Sequence, residues 1–211
     1  MSQADTVTRI LDSAEQLFAE KGFAETSLRM ITTRAKVNLA AVNYHFGSKK
    51  ELIQAVFARF LTPFTLKLSK ELDAVVAIKR DPDFRDVLGV LASTMLTGVA
   101  PNDHYNKLSV FMRLLGLAYT QAQGHLRRFL YENYAEVYGR FIGYLKLAHP
   151  DLSSEAIFWR LHFAIGAAVF TMSSIEVLRS MAQTDTGIDT SVEQVMAQLI
   201  PFLAAALEQE A

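Results

Sequence analysis

Cysteine is absent from all 211 residues, which excludes a disulfide framework and thiolate chemistry and is compatible with a reducing interior. Proline (5) and glycine (10) are sparse, and no segment alternates apolar and polar residues for long, so no sheet is expected. An excess of one charge is lacking too. The 21 basic and 22 acidic residues leave a net charge of −1, which excludes a uniformly polybasic binder. There is no glycine-rich phosphate loop, no H-E-x-x-H and no G-x-S-x-G. His45, His104, His125, His149 and His162 show no metal-ligand spacing. Neither an enzyme, a metal site nor a bound cofactor is therefore expected. The first residues lack a basic segment followed by an apolar run, so no signal peptide is read there. A cytoplasmic protein without a membrane partner is the expectation.

Long hydrophobic runs are also scarce. The longest weakly charged stretch, LHFAIGAAVFTMSSIEVL (161–178), contains His162, Ser173, Ser174 and Glu176 and lies between Arg160 and Arg179. A membrane-spanning helix needs about 20 predominantly apolar residues. The stretch reads instead as a fully buried helix.

Apolar residues are what the chain has in abundance (51%), enough for a sizeable core, and nearly all of them recur at helical spacing. Val7, Ile10, Leu11, Ala14, Leu17 and Phe18 form one stripe, and Lys21-Gly22 should stop that first helix. A second helix should open at Thr26-Ser27 and run to about Arg34. A third, capped by Asn38, should end near Phe46. Ser48 with Glu51 spells a capping box for a fourth helix from Lys49, which Pro63 should kink near residues 59–63. Asp81-Pro82 should begin a fifth, and 99–106 should be a loop. Helices are expected at 107–120 and 124–148, the second ended by His149-Pro150. One more should run from Ser153 or Ser154 to about Ala182, followed by a TDTGIDT loop. Ser191 with Gln194 should cap the last helix, bent at Pro201.

Local charge breaks the overall balance. Residues 26–50 contain no Asp or Glu but carry Arg29, Arg34, Lys36, Lys49 and Lys50, whereas from residue 51 onward 17 acids outnumber 14 bases. Positive charge confined to one end suits a phosphate-facing surface. The two short helices in this window, joined by AKVN, have helix-turn-helix spacing, in which the second helix enters the major groove. On that helix Leu39, Ala40 and Ala41 permit close approach and contact with thymine methyls, and Asn43 offers a paired donor and acceptor. Tyr44, His45 and Lys49 suit phosphate oxygens, and Lys49 adds to the free N–H groups at the start of the fourth helix. Thr26, Ser27 and Arg29 outline a second anion site. Val37, Val42 and Phe46 read as core.

The run ILDSAEQLFAEKGFAETSLRMITTRAKVNLAAVNYHFGSKKELIQAVF (10–57) resembles the DNA-binding domain of TetR-family transcriptional repressors. The shared pattern is an apolar first helix, then G-F, T-S, I-x-x-x-A, V-N and Y-H-F-x-x-K. The resemblance implies an all-α protein of about nine helices. A three-helix helix-turn-helix domain (1–47) would precede a helical effector-binding and dimerisation domain (48–211). It further implies a homodimer on palindromic operator DNA, and a cavity whose small effector releases that DNA. Two departures stand out. Lys36 occupies a turn position usually held by glycine, where it also gains a possible phosphate contact. Asn43 replaces a tyrosine common in the family, and Tyr44 follows it.

The segments FMRLLGLAYTQAQGHLRRFL, FWRLHFAIGAAVFTMSSIEVLRSMAQTDTGIDTSVEQVM and IPFLAAAL resemble a fatty-acid-responsive branch of the same family. This implies a repressor of fatty-acid degradation genes, relieved by a long-chain fatty acid or its acyl-CoA. A different hydrophobic ligand, or none, is the alternative. Phe111, Leu115, Phe129, Phe141, Phe163 and Phe170 read either as ordinary core or as the wall of an acyl cavity, with Arg113 meeting a carboxylate head or a structural partner. The dimer interface is expected at Phe163, Gly166, Ala167, Phe170, Met196 and Phe202, on helices apolar around much of their circumference.

Overall fold

The computed structural model describes residues 3–79, 84–98, 104–121 and 124–208, and every regular element among them is an α-helix. In order these are α1 (Gln3–Glu25), α2 (Leu28–Ala35), α3 (Leu39–Phe46), α4 (Lys49–Ile78), α5 (Phe84–Gly98), α6 (His104–Thr120), α7 (Gly124–Ala148), α8 (Ser154–Ser173), α9 (Ile175–Thr186) and α10 (Val192–Glu208).

The expected caps form. Ser27 Oγ accepts the Met30 N–H at 3.2 Å, and Asn38 Oδ1 accepts the Ala41 N–H at 2.8 Å. Ser48 Oγ accepts the Glu51 N–H at 3.3 Å, and Ser153 Oγ accepts the Ala156 N–H at 3.1 Å. At α10 the box is reciprocal: Ser191 Oγ takes the Gln194 N–H and Gln194 Oε1 takes the Ser191 N–H. Each such cap contributes about 1 kcal/mol. The backbone leaves helical geometry at Gly22 (φ 81°, ψ 169°), where the first helix was expected to stop, and helical residues then resume as far as Glu25.

Several expectations are corrected. Residues 104–106 belong to α6 rather than to a loop, and α9 reaches Thr186, into the expected TDTGIDT loop. The expected 154–182 helix breaks at Ser174 (φ −113°, ψ 15°), so ten helices are described instead of nine. At the break Arg113 Nη2 donates to the Ser173 carbonyl at 3.1 Å. Pro63 lies inside α4 and Pro201 inside α10, and neither ends its helix. The Asp81-Pro82 start and residues 99–103 lie outside the described residues.

The core has three parts. The first joins α1, α2 and α3 to the first half of α4, through Leu52, Ile53, Val56, Phe57 and Phe60, and to Phe111 and Leu114 of α6. The second gathers Leu68 and Leu72 from the other half of α4 with α5, α7, α8 and α10. The third joins α6, α8 and α9 to α10 around Met112, Met172 and Met196. Apolar packing therefore continues past residue 47, and the seam between the first two parts falls within α4, at Pro63.

The 161–178 stretch is not fully buried in the single chain. Only Leu161, Met172 and Ile175 of that stretch are buried, while Phe163, Phe170 and Val177 are more than 60% exposed. Although α8 is long and apolar enough to cross a membrane, its length and composition equally suit a helix covered by protein.

Candidate DNA-binding surface and effector cavity

Helix α3 is held by its apolar side and presents its polar one. Val42 is fully buried, and Val37, Ala41 and Phe46 pack on the same core. Leu39, Ala40, Asn43 and Tyr44 are exposed together, Tyr44 by 76%. Exposing so much aromatic surface without a partner is costly, and this is the face a major groove would meet. His45 lies half-buried beside it, with its ring 5.0 Å from that of Tyr44.

The turn between α2 and α3 explains Lys36. Its φ of 54° and ψ of 47° are left-handed, a conformation that costs a non-glycine residue about 1 kcal/mol. The Lys36 N–H bonds the Thr33 carbonyl (3.2 Å) and the Val37 N–H bonds the Thr32 carbonyl (3.0 Å), closing the C-terminal cap of α2. Arg9 of α1 then donates to the carbonyls of Ala35 and Lys36. The backbone strain is thus held by four hydrogen bonds, and Lys36 is exposed, as are Arg29 and Lys50.

Three side chains of the 26–50 window take partners within the chain: Thr26 and Lys49, which were expected contacts, and Arg34, one of its basic residues. Thr26 is fully buried, its hydroxyl donating to the carbonyls of Leu17 (3.0 Å) and Gly22 (2.8 Å), so its side chain supports the turn and does not reach DNA. Arg34 pairs with Glu20 at 3.0 Å. Lys49 Nζ donates to the Ala24 carbonyl at 3.2 Å, tying the start of α4 to the end of α1. Ser27 is exposed, but its hydroxyl already caps α2.

The basic end is joined to the rest of the chain by polar contacts that a reading by periodicity missed. Arg59 of α4 bridges Asp12 (2.5 Å) and Glu15 (3.4 Å) of α1. Burial pushes the Glu15 carboxyl above its ordinary range, partly offset by Arg59. Gln54 Nε2 donates to the His125 carbonyl at 3.3 Å, and burial, then Lys50, holds the His125 imidazole below its usual range. The cue available in sequence was only the abundance of long polar side chains on otherwise apolar helices.

In the C-terminal part, α5, α6, α8 and α10 enclose an apolar cavity of about 110 Å³. Every lining residue is Leu, Ile, Ala or Met, including Met95, Met112, Met172 and Met196, four of the chain's seven methionines. None of the expected effector residues lines it. Phe111 borders a smaller void of about 20 Å³ against Phe60 and Phe64 of α4. Leu115 and Phe129 pack around the first core, Phe141 is buried in the second, and Arg113 is exposed at the Ser174 break. Phe163 and Phe170 face outward. Periodicity marked these aromatics as apolar without showing which side of a crowded bundle each would occupy, and it passed over the small and flexible residues that leave space.

Of the expected interface residues, Phe163, Gly166, Phe170 and Phe202 are exposed and Ala167 is half-buried. A Cβ on Gly166 would touch nothing within 4 Å. Met196 instead lies inside, 7% exposed, in the cavity wall. Trp159, Phe163, Phe170, Val177 and Met181 continue as one exposed apolar stripe along α8 and α9.

Comparison with known proteins agrees with this arrangement. Residues 10–56 match the family described as bacterial regulatory proteins, tetR family, and residues 99–206 match the tetracyclin repressor-like C-terminal domain. The HTH-type transcriptional repressor Rv3405c of Mycobacterium tuberculosis is 40% identical over 94 residues, covering 44% of this chain and 48% of that protein. The regulator SrpR of Pseudomonas putida is 35% identical over 68 residues, 32% of each chain. The chain thus spans at most about half the length of these curated relatives. A TetR-like transcriptional regulator from Rhodococcus sp. RHA1 shares the fold over 100% of both chains at a TM-score of 0.60 and 17% identity. A HlyIIR mutant does so over 100% of this chain and 99% of its own, at 0.58 and 19%.

Proposed function

The chain belongs to the TetR family of DNA-binding transcriptional regulators, which are not enzymes, and we propose that it represses fatty-acid degradation genes until a long-chain fatty acid or its acyl-CoA releases it from operator DNA. The observation that carries the ligand class is the cavity between α5, α6, α8 and α10, which has no charged or hydrogen-bonding side chain in its wall. An aliphatic chain is the ligand such a wall favours, since any polar group placed there is left unsatisfied. We read the C-terminal segments as resembling PsrA, a fatty-acid-responsive member of the family, and that reading supports the same ligands.

A homodimer completes this reading. The stripe from Trp159 to Met181 is too apolar to leave in water, and a two-fold partner presenting the same stripe would cover it. The dimer would set two α3 helices about 34–36 Å apart, one turn of a palindromic operator. An effector releases DNA only through a difference in affinity between the two packings. Helix α4 is the lever, since it begins beside the DNA surface after its Ser48 cap and reaches the second core through Leu68 and Leu72. The protein would act in the cytoplasm.

Titration of the purified protein with oleate and with oleoyl-CoA, followed by calorimetry, tests the ligand. Saturable binding of one of them at a single site per chain supports the reading. Heat of dilution alone from both removes it and leaves a regulator answering to another hydrophobic ligand.

A further inference from the structure

Two of the voids in the C-terminal part are neighbours. Met95 of α5 and Leu108 of α6 line both the 110 Å³ cavity and the 20 Å³ void, so these two side chains form the wall between them. The small void is otherwise bordered by Phe60, Leu61 and Phe64 of α4 and by Phe111 of α6.

Its position is unusual. Phe60 and Phe111 belong to the first core, Phe64 packs on the second, and Leu108 belongs to the third. The void is therefore where the three parts of the core meet. Phe60 and Phe64 also straddle Pro63, where α4 passes from one core to the next. Proline has no N–H, so the Arg59 carbonyl lacks its helical donor there, and α4 bends most easily at this point.

Neither void is large enough for a long ligand as it stands, because ligand sites commonly occupy about 300–1,000 Å³. A straight chain entering the larger cavity must gain space by moving side chains. Met95 is the wall member that moves most easily, being unbranched and half-buried. Leu108 is 3% exposed and fixed in the third core.

Building on the fatty-acid reading, we propose that the Met95–Leu108 wall is a length gate. A short alkyl chain fills only the larger cavity. A longer one displaces Met95, enters the small void and pushes Phe60 and Phe64 apart at Pro63, which turns occupancy into movement of α4. Binding and DNA release are therefore separable by chain length. The compound that releases DNA is an unbranched aliphatic chain, since a ring or branch does not pass between Met95 and Leu108.

The test uses the full chain, octanoate, laurate, palmitate and palmitoyl-CoA, and a duplex from the promoter of its own gene. Binding is read by calorimetry and DNA release by fluorescence anisotropy. In the wild type, octanoate should bind without releasing DNA, and palmitate should bind and release it. Leu108→Phe thickens the wall. It should weaken palmitate far more than octanoate, by about fourfold for each methylene excluded from the small void, with release lost. Met95→Ala thins the wall and should lower the palmitate concentration needed for release, which decides the matter even if Leu108→Phe fails to fold. Palmitate releasing DNA from Leu108→Phe at the wild-type concentration overturns the gate alone. So does octanoate releasing DNA as well as palmitate at equal occupancy, or Met95→Ala leaving the palmitate requirement unchanged. If neither the three acids nor palmitoyl-CoA binds the wild type, the fatty-acid reading itself falls and the gate with it.

Discussion

Gln121 at the end of α6 reaches across to α1 and accepts the Phe23 N–H at 3.0 Å, its amide nitrogen 2.7 Å from where a Cβ on Gly22 would lie. The same helix carries Leu108 and Met112 of the cavity wall, and Gly22 is where α1 turns toward α2. Helix α6 thus joins the cavity wall to α1 of the DNA-binding end through this hydrogen bond, in addition to α4. Gln121→Ala should leave the Phe23 donor without its acceptor, a loss of about 1–3 kcal/mol in a urea melt. It should also raise the effector concentration needed for DNA release. A melt and a release curve that both match the wild type would remove Gln121 from the coupling.

The two kinds of contact on the DNA surface should separate by salt and by sequence. Asn43→Ala changes a residue placed to read a base edge, and should cost about 1–3 kcal/mol on the operator while costing little on unrelated DNA. Arg29→Ala or Lys36→Ala should weaken both duplexes alike and reduce the slope of log K against log salt by about one unit each. Thr26→Ala should act through stability and not through this slope, since its hydroxyl is spent on Leu17 and Gly22. Binding isotherms across a salt series distinguish the three.

Glu15 gives a pH signature of opposite sign to that of a salt-bridged acid. Burial raises its carboxyl, so the folded protein holds a proton there that the unfolded chain has already lost. Stability from this group is therefore present at acid pH. It is lost as pH rises from the ordinary glutamate range through the raised one. Glu15→Gln should flatten that part of the stability profile and leave the melting temperature at neutral pH equal or higher, despite the contact with Arg59 (3.4 Å). A marked drop at neutral pH, with the profile still sloping, would show the ion pair outweighing the burial.

Phe163 and Phe170 should govern assembly. Replacing either with Asp places charge in the middle of the apolar stripe on α8. Sedimentation should then show a monomer where the wild type is a dimer, with helical content kept and operator affinity lost. An unchanged sedimentation coefficient would move the interface elsewhere.

Much of this was legible in the sequence because it depends on near neighbours. Ser27, Asn38, Ser48, Ser153 and Ser191 cap their helices through atoms three residues away, and a pattern of three residues is enough to see them. The basic window and the buried face of α3 were readable for the same reason. The Ser174 break was not, and the partner that the last α8 carbonyl takes there, Arg113, lies 60 residues earlier. Thr26 reads as part of an anion site because it stands with Ser27 and Arg29 at the start of α2, whereas two α1 carbonyls claim its hydroxyl. The cavity was the least visible part. It is made by where methionine and alanine leave space, and the phenylalanines that suggested it fill cores or face outward.

The most direct measurement is binding of the purified protein to the promoter of its own gene, with and without oleate and oleoyl-CoA. The account predicts tight, salt-sensitive binding, abolished by one of the two acyl compounds at concentrations that saturate the protein. Tight binding unchanged by saturating amounts of either would contradict an acyl-responsive repressor.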